Sequence, residues 1–193
     1  MLTDQQAIIA CKTDGKFLVL AGAGSGKTYT LTQRIITLIQ EGIQPETITA
    51  VSFTKKASNE IKDRTLNFFP AAQGVKFGTF HSLCLKILKY YPAQLIELQL
   101  ISDEEFIILD EKDRATLINR FVEQSRPGVY DPQLLERVVN FLNKWGRKLD
   151  FPTVESSNDP EVFRIWWKIQ QEKVKLNYVD FDDILKYTFL LLN

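Results

Sequence analysis

The 193-residue sequence predicts an α/β fold: a parallel, doubly wound sheet carrying a phosphate-binding loop, followed by an all-helical block. Three observations predict it. Apolar, strand-length runs at 17–21, 47–53 and 75–79 alternate with helical patterns as far as Pro92, and strands alternating with helices imply parallel pairing through crossovers. Between the first run and its helix lies AGAGSGKT, from Ala21 to Thr28, in the strand–turn–helix context that a phosphate-binding loop needs. Beyond Pro92 the periodicity is helical almost throughout.

Taken in order, the strand 17–21 passes through the Gly-rich loop into a helix carrying Leu31, Ile35, Ile36, Leu38 and Ile39 and stopped near Gly42. Pro45 marks a turn. The run TITAVSF at 47–53 is β-branched and apolar, a buried strand. A helix over 55–69 is ended by Pro70, a strand spans 75–79, and a helix over 80–91 stops at Pro92. In the second half, Ser102-Asp-Glu-Glu105 reads as a capping box, and the short apolar run 106–109 is the one strand exception to the helical pattern. Residues 113–125 place Leu117, Ile118, Phe121 and Val122 on one helical face. Asp131-Pro132 opens another helix, 151–160 is a loop, 161–176 is a tryptophan-rich helix, and 180–192 is a last one.

Composition narrows the class. No stretch approaches the roughly 18–20 apolar residues of a membrane span, and the N-terminal stretch lacks a basic region followed by an apolar core. A cytoplasmic, monomeric protein with no membrane contact is expected, with Cys11 and Cys84 as free thiols. Formal net charge is zero, but residues 1–90 hold 11 Lys/Arg against 6 Asp/Glu, while residues 91–193 hold 13 against 18. A basic half around a phosphate loop suits a polyanionic partner, or offsets the charge of a nucleotide.

The glycines of the loop leave backbone N–H groups free to point at phosphate oxygens, and the following helix adds positive charge at its N-terminus. Lys27 would reach the β- and γ-phosphates and the Thr28 hydroxyl would ligate Mg²⁺. Gln6, in Leu-Thr-Asp-Gln-Gln, can pair with both N6 and N7 of an adenine, although alone it is an ordinary surface glutamine. In 52–64 (SFTKKASNEIKDR), Phe53 either stacks on a base or closes the strand's core, and Thr54 can bond a backbone phosphate. In 78–83 (GTFHSL) stands His81, the single histidine, which taken alone caps a helix. The acids of 176–185 (LNYVDFDDIL) suit a helix start before they suit a metal.

In this order and spacing the five stretches resemble the UvrD/Rep family of superfamily-one DNA helicases. LTDQQ resembles its adenine-reading Q motif, AGAGSGKT its motif I, 52–64 its motif Ia, GTFHSL its motif Ib, and VDFDDIL the segment before motif II. The resemblance implies a RecA-like parallel sheet, incomplete in these residues. It assigns 1–91 to the first part of that subdomain, 92–177 to a helical insertion and 178–193 to the return. It implies ATP and Mg²⁺ as cofactors, single-stranded DNA as partner, further helicase domains elsewhere in the parent chain, and movement 3′ to 5′. It also implies the site: Gln6 at the adenine; Ala21, Gly22, Ala23, Gly24, Ser25, Gly26, Lys27, Thr28 and Tyr29 around the nucleotide; and Phe53, Thr54, Lys55, Thr79, Phe80 and His81 along DNA. The chain departs from the family at Tyr29, where arginine is common, and at Lys55, which replaces asparagine.

Hydrolysis needs an acid pair to hold Mg²⁺ and orient water, which in this family reads like Asp-Glu-x-Gln-Asp. No such segment occurs here. The Leu-Asp-Glu at 109–111 has the shape but continues as Lys-Asp and sits in the helical block. These residues alone are therefore expected to bind nucleotide weakly, hydrolyse it very slowly and unwind nothing. Two other classes compete: an unrelated P-loop enzyme such as a small-molecule kinase, and a protein-docking module presenting Trp145, Trp166 and Trp167.

Overall fold

Among the described residues, strand pairing is confined to two small parallel sheets, each two-stranded, and helices make up most of the remaining regular structure. The computed structural model describes residues 2–155 and 157–193; Met1 of the N-terminal stretch and Ser156 of the predicted loop lie outside the described residues. The chain divides into two units, Met1–Phe80 and His81–Asn193. No helix is long and apolar enough to cross a membrane among the described residues.

The first unit is built on α2 (Lys27–Gln40), β1 (Thr49–Ser52), α3 (Lys55–Phe68) and β2 (Lys76–Thr79), with the short α1 (Asp4–Ala10) packed on α2. β1 and β2 run parallel, with Thr49 opposite Lys76 and Ser52 opposite Thr79. Ile35 of α2, Ala50 of β1, Ile61 of α3, Ala72 and Val75 form its core. α2 ends where expected: Gly42 takes φ +93°, a left-handed value glycine alone adopts without cost, and Ile43 N–H closes back onto the Leu38 carbonyl at 3.0 Å.

One expected strand is absent. Residues 17–21 form no ladder, and Leu18 and Leu20 are each 87% exposed. Apolar, β-prone side chains state a preference for burial, but a parallel strand exists only where a neighbour takes its N–H and C=O groups. β1 and β2 pair with each other, and no strand beside 17–21 is present among the described residues.

The second unit holds α4 (Phe80–Tyr90, whose first residue belongs to the first unit), α5 (Pro92–Glu97), β3 (Ile107–Ile108), α6 (Glu111–Ser125), α7 (Pro132–Gly146), α8 (Pro160–Lys175), β4 (Tyr178–Val179) and α9 (Phe181–Leu192). α6, α7 and α8 pack together around Leu117, Ile118, Leu134, Val138, Ile165 and Trp166. A second cluster joins Leu88, Leu95, Ile101, Val179, Ile184 and Tyr187. Pro132 and Pro160 sit at the first helical position, and Asp131 and Asp159 cap those helices, so local signals set these starts.

One expectation for this half changes, and one strand is added. Ser102-Asp-Glu-Glu105 caps no helix. The Asn177 side chain takes its backbone instead: Oδ1 accepts from Ser102 N–H at 2.9 Å and Asp103 N–H at 3.2 Å, and Nδ2 donates to the Asp103 and Glu105 carbonyls. The short run 106–109 becomes β3, paired in parallel with β4, a strand absent from the sequence reading.

Candidate nucleotide and nucleic-acid site

The loop 21–26 enters α2 through Gly26, the N-cap residue, at φ +78° with no side-chain cap. The first N–H groups of α2 therefore have no capping side chain. A Cβ at Gly26 would lie 2.9 Å from Gln6 Nε2, whereas nothing stands within 4 Å of one at Gly22 or Gly24. A residue larger than glycine at 26 would both strain the backbone and displace Gln6.

Gln6 is brought to this loop. Thr3 and Gln6 close a capping box at the start of α1, with Thr3 N–H donating to Gln6 Oε1 at 2.9 Å. The other end of the same amide, Nε2, donates to the Ser25 carbonyl at 2.9 Å. Lys27 Nζ reaches back over the loop to the Ala21 and Gly22 carbonyls, at 3.1 and 2.6 Å, and Ser25 Oγ donates to the Gly22 carbonyl. Gln6, Ala21, Gly22, Ser25 and Lys27 thus line one cleft of about 740 Å³, the size of a small-molecule site. Ala23 and Gly24 form the exposed tip of the turn, and Thr28 and Tyr29 are half-buried in the first turn of α2.

The parallel register places the carboxyl ends of β1 and β2 side by side. Phe53 and Thr54 follow one strand there, and Thr79 ends the other, with Phe80 after it. Phe53 is 92% exposed, so it is no core residue; Phe80 is exposed too. Thr54 caps α3 by accepting from Ala57 N–H at 3.1 Å, and Lys55 is exposed in its first turn. In the second unit, half-buried His81 stands edge-on to Phe181, with ring centroids 6.0 Å apart.

The acidic helix start is a cap and more than a cap. Asp180 Oδ1 accepts from Asp183 N–H at 3.0 Å, and Asp183 Oδ2 from Asp180 N–H at 2.9 Å. Lys173, 3% exposed in its side chain, inserts between them, with Nζ 2.7 Å from Asp180 Oδ2 and 2.5 Å from Asp183 Oδ2. Arg114 adds longer contacts to Asp180 and Asp182, and Lys186 Nζ donates to the Trp145 carbonyl at 2.9 Å. No group of three or more acidic, Cys or His side chains could hold a metal among the described residues. Asp110 caps α6 by accepting from Asp113 N–H at 2.8 Å, a structural use of the Leu-Asp-Glu sequence. Trp145 and Trp166 are buried in the second unit and Trp167 is half-exposed, so the three do not form one exposed aromatic patch.

Burial pushes Lys173 down, but the Asp183 and Asp180 carboxylates outweigh it and the ammonium is held above its ordinary value. For Asp180, burial is likewise outweighed, by Lys173, and its carboxyl is lowered. For Asp183, burial and the Asp180 charge prevail and push it up to about 6. One ammonium between two buried carboxylates cannot fully compensate both, so the two acids part.

A carboxyl raised in the folded state favours folding below its ordinary 3.8, and that contribution is lost as pH rises through about 6. The lowered Asp180 does the reverse: its contribution is present above 3.8 and lost as pH falls below it. Urea midpoints from pH 4.5 to 7.5 are expected to show a decline in the wild type that Asp183→Asn removes. Parallel curves for the two proteins would refute this assignment.

Three anchoring residues escaped the sequence reading. Lys173 had a signal: it continues the stripe Val162, Ile165, Trp166, Ile169 at helical spacing, where an apolar residue is expected. Asn177 follows the end of α8 at φ +56°, the left-handed position after a helix. Arg34, whose guanidinium reaches the end of α1, had none.

The sequence matches the UvrD/REP helicase N-terminal domain over residues 1–193. It is 33% identical over 196 residues to DNA helicase II of Rickettsia typhi, covering 96% of this chain and 29% of that protein. It is 32% identical over 188 residues to the ATP-dependent DNA helicase PcrA of Bacillus subtilis, covering 94% and 25%. With the ATP-dependent DNA helicase SRS2 of Saccharomyces cerevisiae the identity is 35% over 200 residues, covering 90% and 17%. The chain spans less than a third of the length of these relatives. An end-to-end family match and relatives that share nearly all of this chain place it plainly: it belongs to the UvrD/REP helicase family, in the N-terminal domain.

Proposed function

We propose that these residues are the ATP-binding and single-stranded-DNA-binding N-terminal part of an ATP-dependent DNA helicase. The observation that carries the reading is the bond from Gln6 Nε2 to the Ser25 carbonyl. It unites a base-reading amide with the phosphate loop across 19 positions of sequence. The residues fit a polyphosphate: open space over Gly22 and Gly24, a helix N-terminus without a side-chain cap, and a flexible ammonium at Lys27. Phosphate oxygens would take over the Lys27 hydrogen bonds now made to the Ala21 and Gly22 carbonyls. The nucleotide, when bound, supplies the anhydride whose hydrolysis drives the motor. For Mg²⁺ the chain offers the single hydroxyl of Thr28, consistent with an ion that keeps waters and phosphate oxygens as its other ligands.

Phe53, Thr54, Lys55, Thr79, Phe80 and His81 form the DNA track in this reading. Exposed Phe53 supplies a stacking face and the backbone ends of both strands supply polar groups for phosphates. The sheet is the incomplete RecA-like one, 1–91 its first part, 92–177 the helical insertion and 178–193 the return. The parent moves 3′ to 5′, while these residues by themselves hold nucleotide without unwinding.

Fluorescence anisotropy with a labelled single-stranded oligonucleotide tests the track. Phe53→Ala combined with His81→Ala is expected to weaken DNA binding about tenfold or more, the worth of a lost stacking platform. Affinity for ADP should stay unchanged. Equal loss of both ligands, or unchanged DNA binding, would count against it.

A further inference from the structure

Arg34 lies seven positions beyond Lys27 in α2, two turns along the same face. Its Nη1 donates to the Ile9 carbonyl at 2.8 Å and also to the Lys12 carbonyl, closing the C-terminal end of α1. The guanidinium carbon stands 5.7 Å from the centre of the Phe17 ring, just ahead of the phosphate loop. One side chain on the phosphate-binding helix therefore ties together the helix that carries Gln6 and the segment that leads into the loop.

That tie has work to do. α1 is seven residues long, too short to be stable alone in water. It has no basic residue of its own in its last turn, and Arg34 supplies a cationic donor from another helix, to the Ile9 carbonyl and to that of Lys12 just beyond the helix end. Only Ala10 of α1 is buried, so its apolar anchorage is slight. At its other end Gln6 has both halves of its amide committed, one to Thr3 and one to Ser25. Where Gln6 stands relative to the loop thus depends on where α1 is held.

We infer that Arg34 is a positioning residue for base recognition: it holds α1 so that Gln6 faces the nucleotide base, and it leaves the phosphate grip to the loop itself. The inference rests on the nucleotide-site reading above. Arg34 touches neither base nor phosphate in this role. Its removal lets α1 swing or fray, while the backbone N–H groups of the loop, Lys27 and the start of α2 remain in place.

Titration calorimetry of the 193-residue chain with ADP and with inorganic pyrophosphate separates the two parts. Arg34→Met is expected to weaken ADP binding about tenfold, the scale of a lost charge-assisted hydrogen bond. Pyrophosphate affinity should change by less than about twofold, as for independent sites. Arg34→Lys keeps a cationic donor without the planar fork and should fall between wild type and Arg34→Met on ADP alone. In a Gln6→Ala background, Arg34→Met should add less than about twofold, because the group it positions is gone. Equal loss of ADP and pyrophosphate overturns the inference, as does unchanged ADP affinity or a full further loss without Gln6. Should Arg34→Met fail to fold, as circular dichroism would show, the Arg34→Lys comparison carries the same test. If the wild type binds neither ligand, the nucleotide reading falls and this inference with it; if it binds both and the variants lose both alike, only the inference falls.

Discussion

Replacing Lys173 with methionine is expected to destabilise the second unit by roughly 3–5 kcal/mol at pH 7, the cost of leaving buried charge without its partner. The variant retains the methylene packing along α8 but abandons Asp180 and Asp183, which face each other across the space the ammonium fills. Two buried carboxylates so close cannot both stay ionised, and one takes up a proton. The deficit should therefore shrink as pH falls toward about 5, since protonation then costs less. Adding Asp183→Asn to Lys173→Met is expected to recover part of the loss, because asparagine removes one charge and can still accept the Asp180 N–H. Urea denaturation followed by tryptophan fluorescence measures all three, with Trp145 and Trp166 buried in the same unit. A Lys173→Met protein as stable as wild type at pH 7 would show that the pair contributes nothing net.

Lys27→Ala is expected to reduce affinity for ADP and for pyrophosphate alike, by about ten- to a hundredfold, the range for losing hydrogen bonds from a charged group. The ammonium reaches only loop carbonyls and is exposed, so stability should hardly change. This parallel loss on both ligands contrasts with the ADP-selective loss expected at Arg34. Unaltered pyrophosphate affinity in Lys27→Ala would remove the phosphate role from this loop.

The first half was largely legible. The AGAGSGKT loop and the starts and stops around it are local chemistry: positive-φ glycines at 26 and 42, and prolines at 70 and 92. The same holds for Asp131-Pro132, an N-cap followed by a residue preset for a helix; Asp159-Pro160, assigned to the loop, is the same device and starts α8. Where the reading failed, the deciding partner lay far along the chain. Residues 17–21 have strand composition but, among the described residues, no neighbouring strand to pair with. Ser102-Asp-Glu-Glu105 has capping chemistry, yet Asn177, 75 positions beyond Ser102, takes its N–H groups first.

By itself, then, the sequence determined the residue types and order of the motifs: the Gly-rich loop, the glutamine ahead of it, the aromatic and polar residues at the ends of two strands, and the helical block. These depend on residue type and short spacing, which a sequence states directly. The tertiary structure decided what each polar side chain does. It turned Gln6 onto Ser25, left Phe53 in solvent, made Asp110 a helix cap, and placed Lys173 between two carboxylates. A hydrogen bond or a buried ion pair needs both partners within about 3 Å. That distance is set by the packing of helices and strands remote in sequence.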